Sequence, residues 1–276
     1  MIDLVRSIRL FVLILIVAGT AGFGNSNAQN LDTPPRAKEV VSAFEQVRWR
    51  EIAEGFAVLR IITSSGLVAT AYRFLPEKFS IELALQSNSS GSRARDIGER
   101  EGAIFAINAG FFAKAENGNL YSIGYLRKDG NVLSKGWQSA GGVINFKAGN
   151  SISLSPSHAG IPKNSGDALQ SRPMLIEPGG RWAMSRNLAD RENRSILCRR
   201  ANSEVIFIVI SRLGLSLYEA GWILRDRNDG GYFGCDSAIA LDGGSSTQVW
   251  VSGEQQVSYS GLSPVHNFLV ARFKAD

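Results

Sequence analysis

Apolar residues in this chain recur in short alternating or continuous runs, separated by glycines and polar pairs. "GFAVLRIITS" from Gly55 and "SIELAL" from Ser80 are rich in β-branched and alternating apolar positions, the pattern of strands. "AIFAIN" (Ala103 to Asn108) reads as a buried strand. Paired runs then predict hairpins: "SIGYLRKDGNVLSK" turns at Asp129-Gly130, "GGVINFKAGNSISLS" at Gly149-Asn150, and "RSILCRRANSEVIFIVI" near Asn202. Helical spacing is rarer. "DIGERE" pairs Asp96 with Glu99 at capping-box spacing, which predicts a short helix. "SLYEAGWILRD" pairs Ser216 with Glu219 in the same way and sets Leu217, Ala220, Gly221 and Leu224 on one face. "NFLVARF" closes the chain as a strand. These elements predict an α+β fold: a single domain with an antiparallel-rich mixed sheet, hairpins and a few helices.

The N-terminus has a different pattern. Arg6 and Arg9 precede an apolar core, "LFVLILIVAGTA" from Leu10 to Ala21, that is short for a bilayer span, and Ser26-Asn27-Ala28 supplies small residues for cleavage. Residues 1–28 read as a signal peptide, with an uncleaved membrane anchor as the alternative. Residues 29–45 read as an irregular lead-in broken at Pro34 and Pro35, and 46–276 as the folded domain. No later stretch is long and apolar enough to span a membrane, so a periplasmic or secreted location is expected, with no stable membrane span after cleavage. An even cysteine count in an exported chain fits one disulfide, Cys198 to Cys235; two separate buried thiols are the alternative. Composition adds little: 276 residues, 44% hydrophobic and 20% charged, is ordinary for a globular protein. The net charge of +5 is modest, and no basic block supports nucleic-acid binding.

Four stretches carry candidate chemistry. In "AIALDGGSSTQVWV" a strand ends on Asp242. Gly243 and Gly244 then permit positive φ or close approach, and Ser245, Ser246 and Thr247 add hydroxyls. A plain Asp-Gly hairpin turn is the alternative. In "FAINAGFF" a strand ends on Asn108, followed by Gly110, Phe111 and Phe112; an asparagine there can bond a sugar hydroxyl and an aromatic can cover a sugar face. The alternative is an Asn-stabilised turn with core phenylalanines. "LQSRPMLIEPGGRW" and "DRENRSIL" bring Arg172, Arg191 and Arg194, whose guanidinium forks suit phosphate; plain solvated arginines are the alternative.

Taken in order, "NAGFF", the hairpin "GYLRKDG", "QSRPML", "RSI" and, after a helix, "LDGGSST" resemble the phosphodiester glycosidase family, from about Phe105 to Phe273. Two departures stand out: Arg172 occupies a position that is usually glycine in the family, and the family's final triple glycine is shortened to Gly243-Gly244. The resemblance implies cleavage of a sugar at its anomeric carbon, with a sugar 1-phosphodiester as the expected substrate. It assigns catalytic roles to Asp242, Arg194 and Asn108. Substrate contacts fall to Gly110, Phe111, Phe112, Arg172, Gly243, Gly244, Ser245 and Ser246.

A phosphate leaving group is already weakly basic, so it relaxes the need for a second carboxylate. Arginines on the departing phosphate and one carboxylate near the anomeric carbon suffice in principle. No cofactor and no metal ion is expected: the only histidines are His158 and His266, and no nucleophile elbow, P-loop or dinucleotide fingerprint is present. The partner is a carbohydrate or sugar-phosphodiester substrate. A non-catalytic envelope glycan-binding protein using the same pocket is the alternative, and a structural envelope protein without sugar affinity is a third.

Overall fold

The eleven-residue strand Val205–Leu215 explains the layering. Val205, Phe207 and Val209 point to one face and Ile206, Ile208 and Ile210 to the other, and both sets are buried in separate apolar clusters. A strand covered on both sides loses the polar half of its alternation, which is why its sequence is a continuous apolar run. In the computed structural model, which describes residues 33–137, 141–147, 151–161 and 166–274, this strand is central to an eight-stranded sheet. The expected signal peptide, 1–28, and the first four lead-in residues lie outside the described residues.

The eight-stranded sheet runs in the order Arg50–Ala53, Phe56–Ile62, Val68–Phe74, Val205–Leu215, Glu192–Arg199, Ser237–Ala240, Met174–Glu177, Arg181–Trp182. Its inner face packs on a four-stranded sheet (Val249–Val251, Phe105–Asn108, Asn267–Phe273, Phe79–Leu85) and on a five-stranded sheet that contains the hairpins Leu126–Lys128/Asn131–Ser134 and Gly142–Phe146/Ile152–Pro156. Phe56, Phe74, Phe105 and Phe207 interlock there, with Phe74 to Phe105 at 5.1 Å and Phe105 to Phe207 at 5.0 Å. Every pairing among the described strands is antiparallel, so the α+β, hairpin-rich fold read from the sequence is the one observed.

Among the described residues, three α-helices cover the outer faces. Helix α1, Pro35–Glu45, corrects the irregular lead-in expected for 29–45. Pro35 begins this helix instead of breaking the chain: at the first helical position its missing N–H would have had no partner, and its fixed φ is already helical. Ala37, Val40, Val41 and Phe44 are buried at helical spacing in the outer cluster of the large sheet. Helix α2, Ala94–Arg100, starts two residues earlier than the capping-box reading; Asp96 is its third residue, and its carboxylate accepts from the Arg93 amide. Its N-terminal Ala94 amide donates to Gln248 Oε1 at 2.7 Å. Helix α3, Leu217–Leu224, has the expected cap, with Ser216 Oγ and the Glu219 carboxylate exchanging bonds with each other's amides. Glu219 also takes Arg191, at 2.6 Å, so this arginine braces the helix.

Cys198 and Cys235 are joined in a disulfide with Cα atoms 5.6 Å apart. The bond ties the strand Glu192–Arg199 to the turn that feeds its neighbour Ser237–Ala240. Its closed loop spans 37 residues, for which the chain-entropy model gives about 3–4 kcal/mol. Replacing both cysteines by alanine should lower the unfolding free energy by about 2–4 kcal/mol in urea titrations. An unchanged midpoint would show that packing alone fixes this turn.

Candidate functional site

Strand order decides which residues meet Asp242. The strand Ser237–Ala240 lies between Glu192–Arg199 and Met174–Glu177, antiparallel to both, so its exit stands beside the entrances of its two neighbours. Ala240 is paired with Ile196, which puts Arg194 level with Asp242 on one side. On the other side Ala240 N donates to Pro173 O at 3.0 Å and Ser171 Oγ donates to Ala240 O at 2.7 Å, which places Arg172 beside the same exit. The backbones of two arginines far apart in sequence therefore flank the strand exit that delivers Asp242.

The fourth stretch arrives from the other sheet. Asp242 N donates to Ala109 O at 2.7 Å, and Asn108 Nδ2 donates to Asp242 O at 2.6 Å. Asn108 Oδ1 accepts from Ser195 Oγ at 2.7 Å and from Gln248 N at 3.0 Å. The asparagine is completely buried. Its amide is thus spent on holding the two sheets together at Asp242, which corrects the expectation that it faces a sugar hydroxyl. Gly110 follows, its amide bonded to Asn267 Oδ1 at 2.6 Å; a β-carbon on Gly110 would come within 2.8 Å of Leu169.

The turn after Asp242 is equally tight. Gly243 is extended, with φ −119°, and a β-carbon there would sit 2.8 Å from Asn193 O and 3.8 Å from Arg194 Nη1. Gly243 is therefore required for close approach and only Gly244, at φ +58°, for a left-handed backbone. Ser246 is buried and its hydroxyl bonds the Asp242 carboxylate, which Gly243 N also reaches at 2.9 Å. Ser245 is exposed, while its carbonyl accepts from the Leu262 and Ser263 amides. Two of the substrate contacts expected from the sequence are therefore redirected: Ser246 serves the carboxylate, and Phe112 packs toward α2 and the outer face of the four-stranded sheet. Phe111, one residue earlier, points the other way, toward Trp137 and Arg172.

Burial pushes the Asp242 carboxyl up to about 6, against the two hydrogen bonds from Ser246 and Gly243 that favour the anion. Arg194 is half-buried, and desolvation lowers its pKa against the pull of Asp190 and Glu192. Its Nε donates to Leu215 O at 2.9 Å and one Nη to Asp190 O at 2.8 Å; no hydrogen bond to Nη1, the nitrogen beside Gly243, is found among the described residues. The guanidinium of Arg194 is thus held by two backbone carbonyls, with Nη1 beside Gly243, one residue from Asp242. Among the described residues no cluster of histidine, cysteine and acidic groups is arranged to hold a metal ion. A groove of about 1540 Å³ lies elsewhere, between α2 and the strand Val249–Val251, and none of Asp242, Arg172 and Arg194 lines it.

With this geometry in place, the model of the phosphodiester glycosidase family matches residues 101–272. The chain belongs to that family. The match takes in Asn108, Arg172, Arg194 and Asp242, and leaves α1 and the first four strands outside it. A comparison with curated proteins gives no match. Two solved structures share the fold at low identity. A hypothetical protein from Synechocystis has a TM-score of 0.58 and 15% identity over 83% of this chain, which spans 64% of that protein. The zebrafish N-acetylglucosamine-1-phosphodiester alpha-N-acetylglucosaminidase catalytic domain, auto-inhibited by its pro-peptide, has a TM-score of 0.57 and 13% identity over 81% of this chain and 82% of its own.

Three residues of this site carried no signal in sequence: Ser195 and Asn267, whose partners are supplied by other strands, and Trp137. Asn267 also meets His266, whose burial lowers its pKa and favours a neutral ring facing the asparagine amide at 3.1 Å.

Replacing Asn108 by alanine should cost about 2–4 kcal/mol in urea unfolding, because Ser195 Oγ, Gln248 N and Asp242 O lose partners in a buried place. A cost under 1 kcal/mol would mean that the joint is held by backbone bonds alone.

The pH dependence follows from the raised pKa. The folded chain holds the Asp242 proton more tightly than the unfolded chain, where the value is 3.8. The stability from this group is therefore full below about pH 4 and is lost as pH rises through about 6. Relative to the parent, Asp242→Asn should gain stability over that window, by up to about 3 kcal/mol at pH 7. Parallel denaturation curves at pH 4 and pH 7 measure it; a difference independent of pH would show that the carboxyl is not perturbed.

Proposed function

We propose that this chain is an exported glycoside hydrolase that cleaves a sugar at its anomeric carbon, with sugar 1-phosphodiesters as its substrate class. The observation that supports the reading is Asp242, with its raised pKa, at a strand exit flanked by the backbones of Arg194 and Arg172. The name of the zebrafish enzyme points to the same class of bond. Export is supported by the apolar segment Leu10 to Ala21 and by a disulfide that needs an oxidising compartment. Among the described residues no helix is long and apolar enough to cross a membrane.

In the proposed reaction the bond between the anomeric carbon and the phosphate oxygen breaks, and its electron pair leaves with the phosphomonoester. Arg194 Nη1 receives the charge that grows on that oxygen, from a position fixed in advance by two backbone carbonyls. Water forms the new bond to the anomeric carbon, and the proton it loses passes to solvent. With a pKa of about 6, Asp242 is mostly ionised at neutral pH, so it can face the positive charge that develops on the sugar. Ser246 and Gly243 hold that carboxylate in one orientation. Asn108 acts at one remove by fixing the backbone of Asp242.

The test uses protein isolated from an envelope fraction, whose intact mass should start at Gln29. Nitrophenyl glycosides and sugar 1-phosphodiesters are assayed for released sugar and phosphomonoester. Asp242→Asn should remove turnover with circular dichroism unchanged. Arg194→Lys should lower kcat/KM by roughly ten- to a hundredfold on phosphodiesters, since a point charge cannot reproduce the guanidinium fork, and by less on glycosides with neutral leaving groups. Full activity of Asp242→Asn overturns the mechanism. Tight sugar binding with no product from any substrate favours a glycan-binding protein instead.

A further inference from the structure

A tryptophan is fixed in place close to this site by groups that have no part in the chemistry at Asp242. Gln170 holds both ends of its backbone: Oε1 accepts from Trp137 N at 2.8 Å and Nε2 donates to Trp137 O at 2.8 Å. The same amide bonds Tyr125 N and Ser157 Oγ, which fixes Gln170 in turn. The indole rests against Gly124, where a β-carbon would come within 3.2 Å of the ring. Gly136 turns the chain at φ +70°, and a β-carbon there would overlap the Tyr125 nitrogen and Gln170 Oε1. Phe111 meets the indole edge-on at 6.1 Å.

Arg172 lies on this surface. Its guanidinium is 4.4 Å from the Trp137 ring centre and 6.0 Å from that of Phe111. The residue is exposed, and no ion pair or hydrogen bond to it is found among the described residues. Stacking removes water from one face of the guanidinium and holds the plane still, while the N–H donors at its rim stay open to a ligand. The backbone of Arg172 is beside the exit that delivers Asp242, one strand to the opposite side from Arg194. The two arginines thus start from strands about 9–10 Å apart, and Arg172 is committed to the ring surface while Arg194 is committed to Leu215 and Asp190.

We propose that Phe111, Trp137 and Arg172 form the subsite for the alcohol esterified on the far side of the phosphate, and that this alcohol carries a second negative charge. The subsite rests on the hydrolase reading above, in which Arg194 serves the scissile phosphate. The substrate class narrows to sugar 1-phosphodiesters of acidic alcohols, such as a phosphorylated polyol. The ring surface packs against the carbon skeleton of the alcohol, and the open rim of Arg172 pairs with its anion.

Two probes separate this from a simple phosphate contact: N-acetylglucosamine 1-phosphate esterified to glycerol, and the same ester of glycerol 3-phosphate. They are titrated calorimetrically at pH 7 into the mature chain carrying Asp242→Asn, so that no turnover interferes. The acidic ester should bind at least about tenfold more tightly than the neutral one, a difference that shrinks with added salt. Adding Arg172→Gln should bring the two within about twofold, and Arg172→Lys should keep part of the preference. Equal binding of both esters overturns the proposal, as does failure of the acidic ester to bind. An equal loss on both in Arg172→Gln also overturns it, since the arginine then serves the scissile phosphate. Hydrolysis by the chain with Asp242 intact is scored separately: charge-dependent binding without any product defeats the hydrolase reading and leaves the anion subsite standing.

Discussion

The site depends on one buried amide. Asn108 ends a strand of one sheet, and its side chain reaches the larger sheet at Asp242, through its carbonyl, and at Ser195, through its hydroxyl, as well as the Gln248 amide that leads into the neighbouring strand of its own sheet. Two sheets packed face to face have many ways to slide by a fraction of a residue. An amide with a donor and an acceptor, satisfied on both, accepts only one of them. The backbone bond from Asp242 to Ala109 repeats the constraint. Much of the local sequence follows from this approach, since Gly110 and Gly243 stand where neighbouring chains leave no room for a β-carbon. The carboxylate of Asp242 is aimed, in effect, from the sheet opposite its own.

That joint has an electrostatic cost. The contacts that fix Asp242 also take it out of water, and desolvation outweighs the Ser246 and Gly243 bonds in setting its pKa. A carboxylate kept only for stability would be better paired or fully exposed. The same buried environment strengthens whatever electrostatic interaction the carboxylate makes with a ligand. Arg194 is in a similar position: it is half-buried, and its own charge is disfavoured by burial while nearby acids favour it. Two residues at the same strand exit thus have their charged forms disfavoured by burial, which is the electrostatic basis of the function proposed above.

Much of the fold was legible in the sequence because strands announce themselves through alternation and hairpins through pairs such as Asp129-Gly130; the expected turn at Gly149-Asn150 lies outside the described residues. Helix α1 was not, because Pro34-Pro35 reads as a break until the apolar spacing of Ala37, Val40, Val41 and Phe44 is weighed against it. At the site, Asp242 and the two arginines could be placed by type and by order. Their roles were harder to separate from sequence. Phe111 and Phe112 are adjacent and chemically alike, yet an extended chain sends them to opposite sides, one to Trp137 and one to the core beneath α2. Asn108 and Ser246 are polar and lie beside the acid, which suggests ligand contact. Burial decides otherwise, and burial is a property of strands contributed from far along the chain. Trp137 lay in "GWQSAGG", where nothing local distinguishes it; its placement depends on Gln170, 33 residues later.

Antiparallel topology accounts for how the arginines come to lie where they do. In a parallel sheet, neighbouring strands end together, so a residue at a strand exit is surrounded by other exits. Here the strand that ends at Asp242 is flanked by two strand entrances, and an entrance is where a preceding loop can place a long side chain. Arg194 enters with a strand that is locked by a disulfide to the turn before Ser237, so its height relative to Asp242 is fixed covalently as well as by pairing. Arg172 enters on the side without the disulfide, where Ser171 and Pro173 bond to Ala240 and the guanidinium finds its support on an aromatic ring. The rigid arginine and the supported one are therefore suited to different tasks. A charge that must meet one bond during a reaction gains from being immobile. A charge that must recognise a variable substituent gains from being held by stacking, which tolerates small displacements in the plane of the ring.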